Sequence, residues 1–338
     1  MNSRVLFFIV SLTACVLAAN RSLGQAMKAV TYTEIYNDPY EIHKLYVKLM
    51  PIFGEVFQTN ITAGYGLEAE YYHKNKLNFI GSFRSSYGGS FDGNLNLAKN
   101  SNKAQTNVKS YLYAELGATY HLKDIESDAE TRLVLYKSSY KKKNRWAAKV
   151  PEKIPVTVKL RKVTGARFGG IYYGTAVNFD QMLKNQDLVL KTKAQEAGGE
   201  KTIDSESSVF GYLRGAGIYA GASLSWIKNI AIKPDQSYGV LTDGRIIDVF
   251  ADLIYMPGLK FDEIIYQKQR VDTEPVEYLP VGGRVGFMGK YNRNFAWSYS
   301  GEVGMRPGPK GQNFYLLVKI ALPVFGSSLK HEVEAYAR

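Results

Sequence analysis

The stretch Asn60–His73, NITAGYGLEAEYYH, alternates with a strict period of two. Ile61, Ala63, Tyr65, Leu67, Ala69 and Tyr71 form one set, and Asn60, Thr62, Gly64, Gly66, Glu68, Glu70 and Tyr72 the other. Successive side chains of a strand point to opposite faces, so this is a strand with one apolar, aromatic face and one polar, acidic face. Any fold for this chain must give the two faces unlike surroundings.

The alternation recurs. In 44–57, Leu45, Val47, Leu49, Phe53 and Phe57 oppose Tyr46, Lys48, Met50 and Gly54. Comparable patterns run through 76–88, 107–121, 209–228, 247–255, 284–291, 297–306 and 314–322, with less regular ones at 132–138, 154–161 and 164–177. The total is about twelve strands, with roughly ten to fourteen allowed, each near the ~9–11 residues that cross a bilayer when tilted. No apolar run after residue 26 reaches the ~20 residues of a membrane helix, and 316–325 is interrupted by Lys319 and Pro323.

The first 26 residues, MNSRVLFFIVSLTACVLAANRSLGQA, place Arg4 before an apolar core and end on Gly24-Gln25-Ala26. This is the pattern of a secretory signal peptide cleaved near Ala26. Leu12-Thr13-Ala14-Cys15 also matches a lipobox, in which Cys15 would be lipidated, but the apolar core continues through Val16-Leu17-Ala18-Ala19 and favours the later cut. Cys15 is the sole cysteine, so the mature chain has neither disulfides nor thiolate metal sites.

Period-two strands build either a sandwich or barrel with the apolar face inward, or a transmembrane barrel with that face outward. Three features favour the all-β transmembrane antiparallel barrel. The polar faces are rich in Gly, Ser, Glu and Arg, as a wet or hydrogen-bonded lumen would be. Aromatic residues gather near strand ends, at Phe53, Phe57, Tyr71, Tyr72, Tyr87, Tyr120, Tyr255 and Tyr291, in a chain holding 25 tyrosines. The leader sends the chain out of the cytoplasm.

The expected organisation is a signal peptide over 1–26, a periplasmic arm over 27–43, a barrel over 44–325 and a tail over 326–338. With an even strand count both termini lie on the periplasmic side. The long connections 89–106, 139–153, 178–208 and 257–280 then fall outside, and 74–76 and 292–294 are periplasmic turns. Asn37-Asp38-Pro39-Tyr40-Glu41 has the residues of a helix start, with Asp as N-cap and Pro at the first helical position, so the arm is expected to open a short helix.

Near the C-terminus the chain reads WSYSGEVGMRPG over 297–308 and NFYLLVKI over 313–320. Together with the Gly-Gln-Ala end of the leader and the Asn-Asp-Pro opening, this resembles the outer-membrane barrels of Bacteroidota. Some of those are accessory barrels in envelope machines such as the barrel-assembly complex or the type IX secretion and gliding apparatus. The resemblance implies an outer-membrane location and other envelope proteins as partners. It rests on no diagnostic motif and carries over no functional residue. It also has a departure: such barrels end on an aromatic residue, whereas here Phe325 is followed by a tail ending at Arg338.

Catalysis needs a positioned nucleophile, base and orienter. Of the histidines, His73 falls on the lipid-facing set, His121 on the lumen set, and His43 and His331 in terminal segments, so no shared metal site is expected. Gly64-Tyr65-Gly66 is a pair of strand glycines without the following helix of a phosphate loop. The expectation is a non-enzyme without cofactors, with an outer-membrane hydrolase as the alternative.

The inward charges carry more information. By parity these are Glu68, Glu70, Glu115, Asp248, Asp252 and Glu302, with Lys48, Arg84, Lys109, Arg284, Lys290, Arg306 and Lys319. The signs nearly balance. An open selective pore lines its constriction with one prevailing sign. A balanced set pairs across a narrow lumen, because an unpaired charge there loses hydration. A lumen closed by ion pairs is expected, with Glu68, Glu70, Arg84 and Arg306 among them. The alternative is a water-filled, porin-like passage for small solutes.

The formal net charge of +12 loses Arg4 and Arg21 with the leader and stays basic. That suits contact with outer-membrane lipid and lipopolysaccharide phosphates, for which Lys141, Lys142, Lys143 and Arg145 beside Tyr140 and Trp146 are the candidates. An exported chain without a recognition module gives no reason to expect nucleic acid.

Overall fold

The computed structural model describes residues 31–330, apart from 75, 101–107, 141–146, 194–200, 236–238 and 293–295. The leader with Cys15, the candidate lipid contact at Lys141, Lys142, Lys143 and Arg145, and the end of the tail with His331 lie outside the described residues.

Ten antiparallel strands form the wall. They are β1 (Leu45–Phe57), β2 (Asn60–His73), β3 (Leu77–Ser86), β4 (Leu112–Tyr140) and β5 (Ala147–Asn178). There follow β6 (Phe210–Lys228), β7 (Arg245–Tyr255), β8 (Val281–Tyr291), β9 (Ser298–Met305) and β10 (Phe314–Gly326). Each pairs with the next, and β10 pairs back with β1 from Tyr46↔Gly326 to Phe57↔Tyr315, so the sheet is a closed up-and-down barrel. Strands β1 and β10 begin and end at one rim, called here the terminal end; the other is the distal end. No helix among the described residues is long and apolar enough to cross a membrane.

The strand count corrects the expected twelve. Segments 132–138 and 154–161 are not separate crossings but parts of β4 and β5, which stay paired from Leu112↔Gly174 to Tyr140↔Ala147 with one irregularity at His121–Lys123. Residues 122–131, LKDIESDAET, which join 107–121 to 132–138, contain no Gly, Pro or Asn to turn the chain. The Tyr140↔Ala147 end of this pair therefore lies at the terminal end, opposite the long connections after β3, β5 and β7. It does not join them as expected.

The outward set of side chains is apolar around the circumference. From Ile61 to Tyr71 on β2, Leu112 to Tyr120 on β4 and Ile247 to Tyr255 on β7, no outward side chain is charged. Leu116 and Leu253 are 71% and 73% exposed. Tyr71 and Phe79 stack at 6.4 Å beside the terminal rim, and Tyr65, Tyr87 and Phe91 cluster toward the distal one.

Strand β1 departs from simple alternation. Between Met50↔Gly66 and Phe53↔Gly64 it carries one residue more than β2, a bulge around Pro51 and Ile52. Parity flips there, so Ile52 and Val56 turn outward and Phe53, Glu55 and Phe57 turn inward, all three buried. Phe53 and Phe57, expected in an outer aromatic belt, are lumen residues; so is Tyr72.

The distal mouth is closed by a cap containing α1 (Gly93–Asn100) and α2 (Phe179–Gln186). Asp92 caps α1 by accepting from Leu95 N at 3.2 Å and also holds Tyr111 N at 2.9 Å. Phe179, Met182, Leu190, Met256 and Phe261 from the connections merge with Phe53, Phe57 and Tyr173 of the wall into one apolar core.

At the terminal end β4 and β5 run on beyond their other neighbours. Pairing of β4 with β3 stops at Leu77↔Tyr120, and that of β5 with β6 at Leu160↔Lys228. The free ribbon packs Leu133, Leu135, Ile154, Val156 and Val158 against Ile230 and Ile232 of a small sheet made of Tyr32–Asn37, Ile230–Pro234 and Leu241–Asp243. The arm thus enters as a strand. Its expected helix start is a turn in which Tyr40 N donates to Asp38 Oδ1 at 2.9 Å and Glu41 N to Asp38 O at 3.3 Å. The following residues cross the terminal mouth. Asn229 donates to Asp38 O and Glu41 O, Asn292 donates to Glu41 O and accepts from His43 N, and Ile42 is buried with Tyr46, Tyr72, Val163, Ile227 and Ile246.

Inside the wall, Gly117 pairs with Gly169 and the ring of Tyr219 lies across both, in the space that a Cβ on either would need. Gly117→Val is expected to cost about 1–3 kcal/mol by overpacking, read as a lower urea midpoint in detergent micelles. Gly81→Ala, whose Cβ would meet only Leu116 Cδ1 at 3.9 Å, is expected to change stability by no more than about 0.5 kcal/mol in the same titration.

Candidate functional site: the ion-paired lumen

The inward parity of β2 aims Glu68 and Glu70 into the barrel, and register sets Lys48 of β1 opposite Glu68. Lys48 pairs with both carboxylates. Lys319 of β10 reaches Glu68 at 2.9 Å and Glu302 at 3.9 Å. Lys290 of β8 pairs with Glu70 and donates to Tyr72 Oη at 2.9 Å. Lys48, Glu70 and Lys290 are buried to within 1%.

A second station lies across the middle of the lumen. Arg284 binds Glu115 at 2.6 Å and Asp252 at 2.8 Å, and approaches Glu302 at 3.7 Å. Arg167 of β5 holds Asp252 from the other side at 2.9 Å. Tyr113 Oη donates to Glu115 at 2.6 Å, and the Arg284 guanidinium stands 4.7 Å from the Tyr219 ring.

Nearer the distal end Glu55 accepts from Arg306 at 2.5 and 2.9 Å in a two-pronged pair and from Tyr111 Oη at 2.9 Å. Arg84 is 3.6 Å from Glu55 and lies 3.8 Å above the Tyr113 ring, with its Nε and Nη1 making no hydrogen bond. Stacking therefore holds this guanidinium more than hydrogen bonding does. Arg306 sits 4.3 Å over Tyr315.

Among the described residues these stations hold seven cations and six carboxylates, and Asp248 makes the numbers equal. Asp248 lies on the lower side, where Ser225 hydrogen-bonds it and where it shares a small void with Tyr72, His121 and Arg167. That void and one beside Glu68, Glu115 and Arg284 have room for no more than a few waters. Above the charges is the cap core, and below them the Ile42 layer. The charges are thus held between two apolar seals.

The expected lumen set divides on these contacts. Glu68, Glu70, Glu115, Asp252, Glu302, Arg284, Lys48, Lys290 and Lys319 meet in one connected network; Arg84 and Arg306 meet at Glu55. Lys109 is a correction: it precedes β4, is exposed, and pairs with Asp262 on the cap at 3.2 Å. Glu55 escaped the parity reading because of the bulge, and Pro51 inside a strand was the available signal. Arg167 lay in a strand too irregular to be given faces. His121 lines the lower void, His73 touches Tyr71 Oη at 3.4 Å, and His43 is buried where the chain ends meet. Among the described residues no three His, Cys, Asp or Glu side chains are grouped to hold a metal ion.

No family model matches the chain, and no curated protein matches it. The site's own chemistry is the neutralisation of fixed charge out of water.

Removing Glu55 strands two buried guanidiniums. Glu55→Ala is expected to lower folding stability by about 3–5 kcal/mol. Lys109→Ala, which breaks an exposed pair, is expected to change it by about 0–1 kcal/mol. Urea titrations of both variants in micelles measure the contrast, and equal effects would contradict it.

Proposed function

We propose that the protein is a non-catalytic outer-membrane β-barrel with a closed lumen, serving as an accessory or structural subunit of a multiprotein envelope complex of the assembly or secretion kind. The observation that carries this reading is the polarity of the wall. Its outward face is an uncharged apolar belt, and its inward face holds the ion pairs. A barrel bathed in water has the opposite arrangement, and a belt around the full circumference far exceeds the few hundred Å² of apolar patch usual on a water-exposed monomer. The uncharged outward face from Ile247 to Tyr255 rises roughly 20–23 Å at a tilt of about 40°, close to the apolar band of outer-membrane barrels. The apolar seals at both mouths and the balanced charges between them favour a barrel that conducts nothing. The ribbon and small sheet at the terminal end offer surface beyond the belt for other envelope proteins.

In a bilayer, Leu253→Arg is expected to cost about 2–4 kcal/mol of folding free energy in phosphatidylcholine vesicles. The same change on a watery surface would stay within about 0.5 kcal/mol, and that result would overturn the membrane reading. In planar bilayers the purified protein is expected to give no steady nanosiemens current, and such a current would remove the closed lumen. Pull-down of the full chain in mild detergent tests the subunit role, which a chain that always purifies alone would refute.

A further inference from the structure

From Lys123 to Leu135, β4 is paired on one side only. Its partner β5 occupies one edge; on the other, no backbone hydrogen bond from any described residue reaches it. The corresponding edge of β5 is covered, because Asn37 donates to Thr157 O at 3.4 Å and accepts from Lys159 N at 2.9 Å. A long unpaired edge in water is a template for another strand.

Side chains decide what kind of strand. The ribbon face away from the small sheet carries Asp124, Glu126, Asp128 and Glu130 at every second position of β4. On the β5 side Arg161 binds Asp124 at 2.7 Å and Lys159 binds Glu126 at 3.2 Å. On the open side no described side chain forms an ion pair with Asp128 or Glu130, and both are exposed. A strand added there meets carboxylates at the spacing of its own alternate side chains. Two copies of this chain paired over the acidic half of β4 would set carboxylate against carboxylate, which destabilises a sheet.

We propose that the free edge of β4 is a docking strand for an extended basic segment of a partner protein, one with Lys or Arg at alternate positions. This rests on the subunit reading for the existence of a partner, and names the surface and its chemistry. Backbone hydrogen bonds along the edge supply the attachment, and opposite charges on the shared face select the segment and its register.

The test uses the full chain in detergent micelles with the peptide Lys-Val-Lys-Thr-Lys-Val-Lys as probe. Expected are slower amide exchange within 123–135 and saturable binding. Affinity should fall at least tenfold in Asp128→Lys with Glu130→Lys, fall less in Asp128→Asn with Glu130→Gln, and be lost when the peptide's pairing edge is N-methylated. Unchanged exchange, no binding, equal binding of the N-methylated or the Glu-for-Lys peptide, or a dimer formed through this edge in sedimentation would each overturn the proposal. Peptide binding by a chain that pulls down alone would count against the subunit reading and not against the edge chemistry.

Discussion

Closure of the sheet between β1 and β10 is the constraint on which the rest of the molecule depends. Once the last strand pairs with the first, the closed part of the wall has no backbone edge, and its side chains have only two places to go. With ten strands the interior is narrow, so inward side chains reach one another across it. That is why residues far apart in sequence, such as Glu55 and Arg306 or Glu70 and Lys290, become contacts. Glycines at Gly117 and Gly169 then provide the room for large rings such as Tyr219.

Confinement between the cap and the Ile42 layer gives those charges their energetic weight. A buried pair gains Coulomb energy but loses hydration, so the net stabilisation of each pair is small, while removal of one partner is costly. The network therefore disfavours any register or shape that separates its members. Arg84, Arg167, Arg284, Lys290 and Arg306 also rest on aromatic faces, so rings and charges pack together. The expected effect is one well-defined barrel, with stability distributed across many strands.

Much of this was legible in the chain. The alternation in β2 assigned Glu68 and Glu70 to the inside, and the same reading on β8, β9 and β10 located Arg284, Glu302 and Lys319. It failed where local geometry breaks the period. One extra residue at Pro51–Ile52 reversed the faces of the rest of β1, so Glu55 was missed and Phe53 and Phe57 were assigned outward. Periodicity also says that a segment is a strand without saying how many times it crosses the wall, so the lower halves of β4 and β5 counted as extra crossings. The Asp38-Pro39 turn shows local propensity yielding to tertiary pairing, since the residues before it are held as a strand by Ile230–Pro234.

The sequence by itself determined that the chain forms two-faced strands, which faces are apolar, and that the inward charges nearly cancel, because these follow from residue order and the geometry of an extended backbone. Only the tertiary structure decided the number of strands, the pairing of particular cations with particular carboxylates, and the sealing of both mouths. Those depend on where distant segments meet, and a bulge of one residue or a hairpin carried past the rim changes that meeting without changing the alternation around it.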